Sequence, residues 1–209
     1  MSGLTVTQLN VEIDGLTLVK DVSFSLHHGE LTAILGSNGA GKSTLLRAIV
    51  GAQPFQSGAV TWNDQSLADL DTLSRAKTLS YLPQDRPISW PIQVHDVVAL
   101  GRYAYGVSLG NIDAAEQSVI NRAMFDCGVS NFAERSINTL SGGEQARVHC
   151  ARTFAAAAPL LLADEPTTSL DPKHQIEIMK LLKSYAEQNC VLVILHDPTL
   201  AARFADRLI

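Results

Sequence analysis

Cysteine is scarce in this chain of 209 residues, and Cys127, Cys150 and Cys190 show no C-x-x-C spacing. An odd number spread this widely supports neither a disulfide framework nor a zinc knuckle, so all three are read as small core residues. Long apolar runs are also missing: none approaches the roughly 20 residues that a membrane-spanning helix needs. The amino terminus, Met1-Ser2-Gly3-Leu4-Thr5, lacks the basic start and long apolar stretch of a signal peptide, which makes the cytoplasm the expected compartment. Basic charge is not in excess. A formal net charge of -5 and a pI near 5.6 argue against nucleic acid as the main partner, since that usually demands a basic surface. With 46% hydrophobic and 18% charged residues, the chain can bury a core in one globular domain with an inserted subdomain.

What the chain does have is Gly36-Ser37-Asn38-Gly39-Ala40-Gly41-Lys42-Ser43-Thr44, which fits the phosphate-loop pattern G-x-x-x-x-G-K-[ST]. Before it, Leu31-Thr32-Ala33-Ile34-Leu35 reads as a buried strand. After it, Leu45-Leu46-Arg47-Ala48-Ile49-Val50 reads as a helix stopped by Gly51. Strand, glycine loop and helix form the context that the motif requires. Glycines let the backbone curl so that successive N–H groups point at the β- and γ-phosphates of a nucleotide, and the helix N-terminus adds positive dipole. Lys42 then bridges phosphate oxygens. The Ser43 hydroxyl is placed to ligate Mg²⁺, the ion that neutralises charge as a terminal phosphoryl group leaves.

Residues 4–26 alternate apolar and polar, with turns at Asp14-Gly15 and His28-Gly29, and read as an antiparallel β layer. A second hairpin follows the first helix, where a turn over residues 54–58 leads into Ala59-Val60-Thr61-Trp62. Between residues 94 and 137 the apolar spacing becomes helical, interrupted by Gly101, Gly106, Gly110 and Gly128. The expected organisation is an α/β fold whose nucleotide-binding core comprises residues 1–85 and 157–209, with residues 86–156 as an inserted helical subdomain. Farther on, Leu160-Leu161-Leu162-Ala163 and Cys190-Val191-Leu192-Val193-Ile194-Leu195 flank a helix over residues 172–188. That is a βαβ unit with buried parallel strands.

Both runs deliver chemistry at their carboxyl ends, where ligands sit in an open parallel sheet. Asp164 suits a second-shell role on Mg²⁺. Glu165, directed elsewhere by strand alternation, could polarise an attacking water. His196 follows the next strand and could contact the γ-phosphate or hold that water. Leu140-Ser141-Gly142-Gly143-Glu144-Gln145 reads as a helix entry, Ser141 capping a helix over residues 144–158, so that its hydroxyl and the following free N–H groups form an anion site.

Taken in order, the phosphate loop, Gln84 in Tyr81-Leu82-Pro83-Gln84, Ser141-Gly142-Gly143-Glu144, Asp164-Glu165, Ser169-Leu170-Asp171 and His196 resemble the nucleotide-binding subunits of ABC transporters over nearly the whole chain. The resemblance implies ATP and Mg²⁺ as cofactors, ATP hydrolysis coupled to transport, and Gln84 as a mobile glutamine reaching Mg²⁺ or water. It implies a head-to-tail pair of copies, in which Ser141, Gly142 and Gly143 of one face the γ-phosphate held by Lys42 of the other and Asp171 bridges them. The family often stacks an aromatic on adenine; the corresponding position here is Ile13, leaving apolar contact with the base and weak base selectivity. The chain ends as residues 204–209 enter another strand, whereas relatives continue with further strands and helices.

Trp90-Pro91-Ile92-Gln93-Val94, leading to Val97 and on to Tyr103, resembles the ATPases of metal-chelate importers for ferric siderophores, haem or cobalamin, and zinc and manganese importer ATPases look similar here. Implied partners are integral membrane permease subunits, docked between core and helical subdomain at the cytoplasmic face, and indirectly a substrate-binding protein. A soluble ABC ATPase of translation or DNA repair is the alternative. It usually carries two such cores or a long coiled-coil insertion, and neither is present.

Overall fold

The amino-terminal alternation folds as a hairpin in which β1 (Gly3–Ile13) runs antiparallel to β2 (Leu16–His27). Asp14 and Gly15 join them with φ of 52° and 77°, the left-handed pair that a tight two-residue hairpin turn demands. The computed structural model describes residues 3–86, 88 and 90–209. After β3 (Leu31–Ile34) and α1 (Lys42–Val50), the strand β4 (Ser57–Trp62) returns to pair with β1, and β5 (Gln65–Ser66) completes a four-stranded antiparallel sheet in the order β2-β1-β4-β5.

The rest of the chain builds a second sheet. It contains α2 (Thr72–Thr78), β6 (Leu79–Leu82), α3 (Val94–Ala99), α4 (Ala114–Asp126), α5 (Gly142–Ala155), β7 (Leu160–Asp164), α6 (Pro172–Ala186), β8 (Cys190–Ile194), α7 (Pro198–Phe204) and β9 (Arg207–Leu208). Five parallel strands lie in the order β6-β7-β8-β3-β9, so the loops leaving β6, β7, β8 and β3 emerge along one edge. This is the expected α/β arrangement: a mostly parallel sheet with helices, an antiparallel layer and an intervening run of helices.

Strand periodicity divides the interior between two cores. Leu161, Ala163, Val191 and Val193 face α3 to α6, whereas Leu160, Leu162, Cys190, Leu192 and Ile194 face α1 and the antiparallel layer. Because both faces are covered, β7 and β8 are buried throughout, as their unbroken apolar sequences require. Each fully buried Leu or Val contributes on the order of 1.5–3 kcal/mol relative to exposure. All three cysteines are free and buried, as expected from their spacing. No helix among the described residues is long and apolar enough to cross a membrane.

Helix ends differ from the sequence reading where backbone chemistry intervenes. α5 begins at Gly142, two residues earlier than expected, because Ser141 and Glu144 form a reciprocal capping box. It ends at Ala155 instead of continuing to residue 158, since Ala157 takes the left-handed conformation (φ 49°). α6 stops at Ala186.

His149, on the inner face of α5, is only 4% exposed, and its Nδ1 has no hydrogen-bond partner. Burial, reinforced by the positive charges of Arg152 and Arg86, pushes the imidazole down to about 3. The folded chain therefore holds His149 neutral while the unfolded chain takes up a proton as pH falls below the ordinary value of 6.5. The stabilisation is present above that value and lost progressively toward about 3. In urea titrations across this range, His149→Leu is expected to remove a slope of about 1.4 kcal/mol per pH unit from the unfolding free energy. Parallel curves for the two proteins would contradict this.

Candidate functional site

At the edge where the parallel strands end, a cleft of about 410 Å³ is lined by Leu18, residues 38–44, Gln84, Glu165 and His196. The loop from β3 supplies the wall that the sequence motif led us to expect. Gly39 and Gly41 have φ of 79° and 82°, and a Cβ on Gly41 would run into the Leu18 carbonyl, so the tight curl and the close strand both require glycine there. α1 starts at Lys42 with no side-chain cap at Gly41. Its first amides are thus left for a ligand, at the positive end of the helix dipole. Lys42 Nζ donates to the carbonyls of Gly36 at 2.7 Å and Ser37 at 2.8 Å, which lays the ammonium across the loop.

The carboxylates arrive from β7. Asp164, 1% exposed, accepts from Ser43 Oγ at 2.9 Å and from the Tyr81 hydroxyl at 3.1 Å. Burial, and then the neighbouring charge of Asp164, push the Tyr81 phenol up to about 12, so it remains a donor at neutral pH. Glu165 lies one residue beyond β7 with φ 47°. Its separation from Asp164 is therefore made by a left-handed turn, not by the strand alternation expected from sequence. Such backbone costs of order 1–3 kcal/mol and persists where surrounding contacts fix it. Those contacts are Gln84 Nε2 at 2.8 Å and Thr168 Oγ1 at 3.2 Å, both donating to Glu165 Oε2, and His196 Nε2, 2.5 Å from Oε1.

A second group of candidate residues gathers elsewhere. Ser141 Oγ donates to Glu144 Oε2 at 2.8 Å and accepts from the Glu144 amide at 3.4 Å, while Glu144 Oε2 also accepts from the Ser141 amide at 2.8 Å. The Ser141 amide and then its hydroxyl hold the Glu144 carboxyl below its ordinary range. Asp171 caps α6 by accepting from the His174 amide at 3.1 Å, and His174 Nδ1 lies 2.6 Å from its other oxygen. These bonds lower the Asp171 carboxyl. The His174 ring occupies the space that a Cβ on Gly143 would need, so the entry to α5 and the cap of α6 are packed together. Neither group lines the cleft.

Ile13 also lies outside the cleft lining, at the hairpin tip paired with Leu16; Leu18 is the residue of that hairpin that reaches the loop. Tyr81, Thr168, Leu18 and His174 were not singled out by sequence reasoning. For Tyr81 a signal existed: Leu79-Ser80-Tyr81-Leu82 is a short strand closed by Pro83, and it pairs with β7 in register, Tyr81 opposite Leu162. Thr168 and His174 act through a turn and a helix cap, and carry no pattern of their own.

A family model described as "ABC transporter" matches residues 19–168. The Halobacterium salinarum cobalamin import ATP-binding protein BtuD is 40% identical over 208 residues, covering 99% of this chain and 52% of that protein. The chain thus spans about half the length of that relative. The Rhodopseudomonas palustris hemin import ATP-binding protein HmuV is 41% identical over 217 residues, covering 99% of this chain and 78% of that one. Among solved structures, a metal-chelate type ABC transporter in an inward-facing conformation superposes with a TM-score of 0.86 at 26% identity, covering 100% of this chain and 79% of that one.

Removing the Tyr81 hydroxyl leaves one oxygen of a buried carboxylate without its donor, which costs about 1–3 kcal/mol. Tyr81→Phe is expected to melt several degrees below the parent, whereas Tyr103→Phe, at a position 73% exposed, melts with it. Equal melting of all three proteins would show that Asp164 does not depend on this bond.

Proposed function

The chain belongs to the ABC transporter family, and from that premise we propose that it is the ATP-binding and hydrolysing subunit of an importer for a metal chelate. The observation that carries this reading is the convergence on one cleft of an uncapped helix N-terminus with Lys42, of Ser43 bonded to the buried Asp164 behind it, and of the Glu165 carboxylate held by Gln84 and His196. Relatives whose names specify cobalamin and hemin import support the cargo class.

In this scheme the amides of residues 39–44 and the Lys42 ammonium hold the β- and γ-phosphates, Lys42 exchanging the Gly36 and Ser37 carbonyls for phosphate oxygens. Mg²⁺ fits the donors present. Ser43 and Asp164 offer hard oxygens 2.9 Å apart, and no cluster of three or more His, Cys, Asp or Glu occurs among the described residues. Few protein ligands completed by phosphate and water is the manner in which this ion is usually taken. Bound there, it would neutralise charge on the phosphoryl oxygens. Glu165 accepts the proton of the attacking water, Gln84 and His196 fixing its carboxylate.

Because Ser141, Gly142, Gly143 and Asp171 sit together but outside this cleft, we assign them to the cleft of a second copy, packed head to tail. Permease subunits would dock in the groove between the core and the helical subdomain, at the cytoplasmic face of a membrane, and receive cargo from a binding protein. Closure on two ATP molecules and opening after hydrolysis would follow as a population shift driven by phosphate contacts.

Glu165→Gln keeps the shape of the side chain but removes the base. It is expected to bind ATP as the parent does, to lose about 10²–10⁴-fold in turnover, and to elute as a dimer from size exclusion with ATP and Mg²⁺. A variant that hydrolyses at the parental rate would overturn the assignment.

A further inference from the structure

Two adjacent glycines open α5, and they differ in what surrounds them. A Cβ at Gly142 would meet open space, whereas a Cβ at Gly143 would run into Cγ, Cδ2 and Nε2 of His174. Gly143 is buried although Ser141 and Gly142 beside it are exposed, so the imidazole on α6 closes the underside of the α5 entry. The opposite side of that ring serves its own helix. Asp171 Oδ1 accepts from the His174 amide at 3.1 Å, and Oδ2 lies 2.6 Å from Nδ1. An ionised carboxylate only accepts, so Nδ1 carries the proton and donates. One residue thereby holds both oxygens of Asp171 and bears on Gly143, while standing outside the cleft of its own copy.

Resting on the assignment of Ser141, Gly142, Gly143 and Asp171 to the cleft of a second copy, we propose that His174 is the positioning residue for that half of the site. Its ring sets the height of the α5 entry above α6, and its Nδ1–H sets the direction of the Asp171 carboxylate. The helix amides and the carboxylate then reach the other copy as one rigid unit. Groups on two separate helices must meet their targets together, and a misplacement of about 1 Å can cost about a hundredfold. His174 itself touches no phosphate and acts through the residues it holds. One turn farther along, Arg147 Nη1 and Glu177 Oε2 pair at 3.1 Å, and the buried Ile178, Met179 and Leu182 anchor α6. The two helices therefore stay joined when the ring is removed.

Three substitutions in the full chain separate the two roles. His174→Asn keeps a donor near Nδ1 and removes the ring, His174→Phe keeps a ring and removes the donor, and His174→Ala loses both. For His174→Ala, calorimetry at dilutions where the chain is monomeric is expected to give ATP affinity within about twofold of the parent. The kcat is expected to fall about ten- to a hundredfold with KM little changed. In the Glu165→Gln background, ATP-dependent dimerisation is expected to weaken by at least about tenfold, with the Asn and Phe variants intermediate. A double-mutant cycle checks the contact itself: Gly143→Ala is expected to lower the melting temperature in the parent and not in His174→Ala. Parental kcat and dimerisation in His174→Ala, even with a lower melting temperature, would reduce the residue to packing and overturn the proposal. An equal effect of Gly143→Ala in both backgrounds would overturn the ring contact. Should the Glu165→Gln chain bind ATP yet stay monomeric, the second-copy assignment falls and the role of His174 with it.

Discussion

The hydrogen bond from Ser43 to Asp164 ties the glycine loop to the carboxyl edge of the parallel sheet. It joins the first turn of α1 to the end of β7, two elements far apart in sequence; β3, the strand that leads into α1, is separated from β7 in the sheet by β8. Asp164 is buried, and a buried carboxyl group is tolerable only when its lone pairs are occupied. Ser43 and Tyr81 occupy them from opposite neighbours, so β6, β7 and α1 hold a common geometry. Glu165, the next residue, inherits a fixed starting point for its left-handed turn.

The two cores explain why that edge is stiff. Alternate residues of β7 and β8 pack into different clusters, one with the helices of the middle of the chain and one with α1 and the antiparallel layer. Displacing either strand would disturb both. The side chains beyond the strand ends are the ones left free to meet a ligand, a general property of open parallel sheets.

Much of this was legible in sequence. The loop glycines, Lys42 and Ser43 carry the spacing of a phosphate-loop motif, and unbroken apolar runs before Asp164 and His196 forecast strands buried on both faces. The Asp14-Gly15 turn was visible because its two residues tolerate positive φ. Other features were not legible, for physical reasons. The backbone of Glu165 adopts its turn because tertiary contacts hold it there, and no local preference of glutamate announces that. Leu18 reaches the cleft through a one-residue bulge, and a strand pattern gives no sign of the extra residue. Ile13, the position that the resemblance gave for the base contact, lies at the hairpin tip opposite Leu16, and Leu18 of the same hairpin lines the cleft. His174 joins Gly143 to Asp171 through packing and one side-chain bond.

On the reading proposed above, loop amides and Lys42 grip the terminal phosphates of a nucleotide. A crystal structure of the chain with Mg²⁺ and a non-hydrolysable ATP analogue tests it most directly. The expected result is Lys42 Nζ withdrawn from the carbonyls of Gly36 and Ser37 and bonded to β- and γ-phosphate oxygens, with the amides of residues 39–44 around them. An analogue bound elsewhere, with Lys42 still lying on those carbonyls, would contradict the account.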